Sequence, residues 1–228
     1  CVLLLLLTGC AVIIGREEAP APVGTRVTLR YIETLRNQAS LQGASLLEHD
    51  RTASPATSLQ RPTAVTADPF RVYVTDRAPE GRVAVFDRSE RTVTFLTGPT
   101  PTGVTGPRFV EPSAVAVDDA GIMYIADGPL GRVLGLDRRG ALVFQLGHRG
   151  EFSSPGSVAI DRRNGRLLVA DAVAGVVRVF SFFGSHVMDV RGGGGKDDLK
   201  QPVALAAGRD GALYILDGRR HRVFVFDA

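Results

Sequence analysis

The sequence predicts an all-β chain built by repeating one antiparallel unit. Four copies of a single pattern run from Leu59 to the end of the 228 residues. Each copy reads apolar-x-x-Pro, a short apolar strand, a turn, a second strand ending in Asp, then Arg-Val and a third strand. The copies open Leu59-Gln60-Arg61-Pro62, Phe109-Val110-Glu111-Pro112, Phe152-Ser153-Ser154-Pro155 and Leu199-Lys200-Gln201-Pro202. Their prolines lie 50, 43 and 47 residues apart, and Asp76, Asp127, Asp171 and Asp217 lie 51, 44 and 46 apart. Self-similarity at about 40–50 residues, with several short strands in each repeat, is the mark of a β-propeller blade.

The front of the chain differs from the repeats. Residues 2–7 are apolar, too few to span a bilayer but suited to the core of a signal peptide. They end in Leu7-Thr8-Gly9-Cys10, which resembles the lipobox of bacterial lipoproteins. The resemblance implies cleavage before Cys10 and acylation of its thiol. Residues 1–9 are thus expected to be a partial signal peptide, because neither Met nor a basic stretch precedes them. Residues 10–25, rich in Pro, Ala and charge towards their end, are expected to be a tether. Residues 26–32 alternate, with Val27, Leu29 and Tyr31 on one side, as a half-buried strand does. Residues 33–58 are expected to continue as a short helical stretch and a Ser/Thr/Pro loop, completing a lead-in region of residues 26–58.

Residues 59–228 form the repeat region. In the second copy, residues 114–118, 122–127, 132–137 and 142–147 read as four strands bounded by Gly and Asp turns. The third copy keeps this plan at residues 157–161, 166–171, 176–180 and 185–190. The first copy retains residues 72–76 and 82–87, and the fourth retains residues 211–217 and 222–227. The run Gly211-Ala212-Leu213-Tyr214-Ile215-Leu216-Asp217, followed by Arg222-Val223-Phe224-Val225-Phe226-Asp227, resembles the NHL repeat. The resemblance covers residues 59–228 and implies four-stranded propeller blades, usually six to a ring. The four copies are expected to belong to such a ring, since the fourth stops after its third strand. The alternative is a four-bladed ring in which residues 27–32 supply the missing outer strand.

Composition narrows the function. The net charge is only +3, from 27 Lys and Arg against 24 Asp and Glu, and just two of the basic residues, Lys196 and Lys200, are lysine. The charges are interspersed, without the dense basic block of a nucleic-acid footprint, so no nucleic-acid partner is expected. Trp is absent, which removes the commonest stacking platform. Both cysteines fall in the first ten residues, so no disulfide framework supports the repeats.

The candidate site residues are themselves repeated. Asp76, Asp127, Asp171 and Asp217 would either line a channel and hold a cation or accept backbone N–H bonds at their turns. Repetition in every blade favours the second role. Arg82, Arg132, Arg178 and Arg222, a few residues further on, are expected to pair with those aspartates. His49, His148, His186 and His221 lie in unlike contexts and never two at ligand spacing. Some NHL-like propellers are zinc-dependent amidating lyases, but no matching histidine set is present, so neither metal nor cofactor is expected. Gly192-Gly193-Gly194-Gly195-Lys196 resembles a phosphate loop, yet Asp197 replaces the required Ser or Thr and a strand follows. It reads as a flexible connection.

The expected function is therefore a non-enzymatic binding or scaffold module for a protein, peptide or glycan, lipid-anchored on the outside of the bacterial cell membrane. Two rivals stand beside it: a metal-dependent lyase or hydrolase with its site in the propeller channel, and an RNA-binding NHL propeller.

Overall fold

The computed structural model describes residues 58–98, 108–147 and 150–227, and the backbone of two short strands at the front. Those two, Leu4–Leu7 (β1) and Cys10–Ile13 (β2), pair antiparallel with Leu7 opposite Cys10. The pairing crosses the boundary that the sequence places between leader and tether. The strand expected at residues 26–32 lies outside the described residues, as do His49 and His148.

The repeats fold as four blades. The first contains Pro62–Ala67 (β3), Arg71–Asp76 (β4), Arg82–Asp87 (β5) and Thr92–Leu96 (β6). The second contains Pro112–Val117 (β7), Met123–Asp127 (β8), Arg132–Leu136 (β9) and Leu142–Leu146 (β10). The third contains Pro155–Asp161 (β11), Arg166–Asp171 (β12), Val176–Ser181 (β13) and His186–Val190 (β14). The fourth contains Pro202–Ala207 (β15), Leu213–Asp217 (β16) and Arg222–Phe226 (β17). Within each blade the strands pair antiparallel in sequence order, and the first strands of successive blades pack side by side.

Blades stack because both faces of each sheet are apolar. Val115, Val117, Ile125 and Leu134 of blade 2 meet Tyr73 and Val83 of blade 1. Ala114, Ala116, Tyr124 and Val133, on the opposite face of blade 2, meet Val158, Ile160, Leu167 and Val169 of blade 3. Ala159, Leu168, Val177 and Val179 meet Leu205, Leu213 and Ile215 of blade 4. Alternation at period two thus feeds two interfaces from one strand, which explains why the middle strands read as almost continuous apolar runs.

Each first strand opens with proline and carries a bulge immediately after it, at Pro62/Ala64, Pro112/Ala114, Pro155/Ser157 and Pro202/Ala204. Proline has no N–H to give the ladder, so pairing slips there at little cost. The extra residue turns towards the next blade. The Thr63 hydroxyl donates to Pro112 O at 3.2 Å, and the Ser113 hydroxyl to Pro155 O at 3.1 Å.

A second repeated device is close approach at the turn between second and third strands. A Cβ at Gly131 would stand 3.0 Å from Phe152 O, and one at Gly175 3.3 Å from Leu199 O, because the segment entering the next blade passes over each turn. Both glycines have positive φ, 57° and 64°. In blade 4 the same place holds His221 at φ 52°.

Candidate functional site

Antiparallel order sorts the connections onto two faces. Turns between second and third strands, together with the segments leading into each first strand, form one face, called the upper face below. The remaining turns form the lower face.

On the upper face each repeat aspartate is fully buried and reaches back to the segment that leads into its own blade. Asp76 accepts from Gln60 N and Arg61 N, and Asp127 from Val110 N and Glu111 N. Asp171 accepts from Ser153 N, Ser154 N and, within its turn, Ala174 N. Asp217 accepts from Lys200 N and Gln201 N, and from Arg219 N and Arg220 N of its turn. Turn capping, which Asp chemistry suggests, is only half of this arrangement; the other half is a clasp on a distant segment. Burial alone would raise the Asp217 carboxyl, but the N–H groups of Lys200, Gln201, Arg220 and Arg219 outweigh it and hold it below its ordinary value.

The arginines do not repeat in the same way. Arg82 is buried and grips Asp76 through Nε at 3.0 Å and Nη2 at 2.9 Å, while also donating to Ser58 O. Arg132 lies opposite Asp127 in register and donates to Arg108 O at 2.8 Å. Arg178 must be reassigned. Val176 stands opposite Asp171, and Arg178 lies two residues further along, 3.4 Å from Asp189 and over the Phe152 ring. The Arg-Val spacing of the other copies does not hold in Val176-Val177-Arg178, and only the pairing register shows it. Arg222 does stand opposite Asp217, but its guanidinium turns outward, 3.9 Å from Asp197. Arg220 instead donates to the lead-in carbonyl of Asp198 at 3.1 Å.

The tips of the upper face are apolar in the middle blades: Val110, Leu130 and Val173 are exposed, Val173 at 74%. Charges flank them. Arg108 pairs with Glu80 at 3.1 Å and Arg77 with Glu111 at 3.6 Å beside blade 1. Lys196, Lys200, Arg219 and Arg222 are exposed beside blade 4. The glycine run is an ordered loop: Gly193 N donates to Asp197 O, Gly194 N to Asp198 Oδ1, and Gly195–Asp197 makes one 3-10 turn.

The lower face is built on a different latch, which reading the repeats for motifs missed. The Tyr73 hydroxyl donates to Asp68 and the Tyr124 hydroxyl to Asp118, both at 2.8 Å. Burial, and then the facing carboxylate, push Tyr73 up to about 12 and Tyr124 further in the same direction, so both remain donors. Arg162 reaches Asp119 and Val117 O of blade 2, and Arg163 reaches Asp210 O of blade 4. Exposed Phe70 and Phe183 mark this face. A cleft of about 290 Å³ lies between blades 3 and 4, lined by Asp161, Arg166, Met188, Asp189, Leu213 and Phe226 among others. No group of three or more His, Cys, Asp or Glu side chains arranged to hold a metal is found among the described residues. His186 bonds Asp189 at 2.9 Å, while His221 is exposed on the upper face.

Stacked antiparallel blades with first strands side by side define the β-propeller class, and this chain is a β-propeller. No family model matches the chain. It is similar to Protein brain tumor of Drosophila melanogaster, 27% identical over 130 residues, which is 55% of this chain and 12% of that protein. Among solved structures it resembles virginiamycin B lyase from Staphylococcus aureus, with a TM-score of 0.54 and 12% identity, covering 74% of this chain and 56% of that one. It also resembles a chain of the Nidogen/Laminin complex, with a TM-score of 0.54 and 18% identity, covering 74% of this chain and 60% of that one. The chain thus spans little more than half of either solved chain. At these identities the likeness concerns the fold, which is shared between an enzyme and a component of a protein complex.

Proposed function

We propose that this chain is an NHL-type propeller that binds a protein, peptide or glycan partner through its upper face, held at the bacterial cell envelope by a lipid on Cys10. The observation that carries the binding role is the row of exposed apolar tips, Val110, Leu130 and Val173, the first and last of them on segments held from beneath by buried aspartates. Exposed apolar side chains on a rigid support lose little entropy when a partner covers them. A chain of the Nidogen/Laminin complex shares this fold, so the fold accommodates association with another protein. The anchor is supported by Leu7-Thr8-Gly9-Cys10.

The binding role is tested by placing a photo-crosslinking amino acid at Leu130 or Val173, with Phe183 on the lower face as control, in cells of the native host. Adducts from the first two positions and none from the third are expected. Adducts confined to Phe183, or none at all, would overturn the reading. The anchor is tested separately by labelling with palmitate, where Cys10→Ala should abolish incorporation and release the protein from membranes. A variant that still labels sinks the anchor.

A further inference from the structure

We infer that the upper corner of blade 4 is a docking site for an acidic protein segment that carries an apolar residue beside its carboxylates. Both lysines of the chain are here, Lys196 and Lys200, with Arg219, Arg220, His221 and Arg222. Asp217 brings them together: its buried carboxylate takes the N–H groups of Lys200 on one segment and of Arg219 and Arg220 on the other. Two basic segments 19 to 26 residues apart in sequence are thus fixed side by side, with the organising charge itself out of solvent.

The local carboxylates are already engaged. Asp198 accepts from Gly194 N at 3.0 Å, and Asp197 faces Arg222. Among the described residues, Lys196, Lys200 and Arg219 have no ion pair. The blade 3 turn that carries Val173 touches this corner, since a Cβ at Gly175 would stand 3.3 Å from Leu199 O and 3.4 Å from Lys200 O. An exposed valine therefore stands on the turn that abuts the backbone of Lys200. Charge complementarity selects an anionic partner. The apolar neighbour selects a polypeptide over a single-stranded nucleic acid, which would call for an aromatic stacking surface. The exposed phenylalanines, Phe70 and Phe183, belong to turns of the opposite face.

This inference rests on the binding-module reading and names the partner's chemistry. The test uses the whole 228-residue chain and three probes: a fluorescent peptide of alternating Glu and Leu, its Gln/Leu analogue, and poly(U) RNA. The acidic peptide should bind, more weakly as salt rises, and the other two should not. Lys196→Glu with Lys200→Glu and Arg219→Glu should weaken it at least tenfold, roughly what removing several rim charges allows. Val173→Ser should cost about threefold, as loss of one apolar contact does. The milder Lys196→Gln with Lys200→Gln should give a smaller loss and guards against misfolding of the triple variant. Arg139→Glu with Arg209→Glu on the lower face should change nothing. Equal binding of the Gln/Leu peptide, tighter binding of poly(U), or indifference to every corner variant would overturn the proposal. If crosslinks still form at Leu130 and Val173 in that event, the binding-module reading survives and only the partner chemistry falls; if neither is seen, both fall.

Discussion

In blade 1, Arg82 is buried and holds Asp76 with two hydrogen bonds; in blade 4, Arg222 stands in solvent with 64% of its side chain exposed. Blade 3 has a valine at the corresponding place, Val176. The aspartate, by contrast, does the same thing in all four blades: it is buried and accepts backbone N–H groups from the lead-in segment. The clasp therefore depends on the carboxylate and on correctly aimed backbone donors, and the guanidinium is an addition where space allows. Two other differences separate the blades. Glycine is enforced at the turn of blades 1, 2 and 3 because chain passes over it, whereas blade 4 carries His221 there. Exposed lysine occurs only around the entry to blade 4.

The largest expected effect breaks the comparison at blade 1. Asp76→Ala strands a buried guanidinium and should cost roughly 3–5 kcal/mol. Asp217→Ala removes a carboxylate without stranding a partner charge and should cost roughly 1–3 kcal/mol. Urea unfolding of the two variants measures the gap; equal losses would show that Arg82 adds no dependence on its partner.

Next come the turns. Gly131→Ala should destabilise by about 1–3 kcal/mol, because alanine pays for a left-handed backbone and its Cβ presses on Phe152 O. His221→Gly should be neutral or stabilising by up to about 1 kcal/mol. Thermal melts suffice to check both signs.

Acid should act through the clasp. The folded Asp217 carboxyl is held below its ordinary value, so its contribution is complete above the unfolded pKa of about 4 and disappears as pH falls through the lower folded value. Comparing denaturant midpoints at neutral pH and well below that pKa, Asp217→Asn should lose less stability on acidification than the parent chain. Identical losses would mean that other carboxylates govern acid unfolding. The smallest effect sharpens the contrast with Arg82: Arg222→Ala should change stability by less than about 0.5 kcal/mol, as exposed ion pairs do.

The architecture was legible because blade boundaries are written in residues with narrow conformational roles. Proline opens each first strand, Asp closes each second, and apolar alternation lies between. Strand ends agree with the pattern to within a residue or two; Pro112 and Pro155 join their strands because the bulge after them absorbs the missing donor. The site was less legible. That Asp127 turns inward follows from its repetition, but its bonds to Val110 N and Glu111 N depend on a segment 16 to 17 residues away. Arg178 resembles its counterparts in sequence and misses them in register, since pairing is set by the opposite strand and not by counting from Asp171. The basic corner escaped a search for charge runs because Lys200 and Arg219 become neighbours only through Asp217.

The clasp also bears on how the chain acquires its order. In every blade the carboxylate and the lead-in N–H groups it captures are 15 to 18 residues apart, a loop of nearly constant length. Closing so short a loop costs little chain entropy, and the cost does not grow with the number of blades. Each blade can seal its own entrance before the next is made, so contacts stay local in a fold whose overall shape is not. A nascent chain leaving the ribosome would then present successive latched units and never a long unpaired sheet.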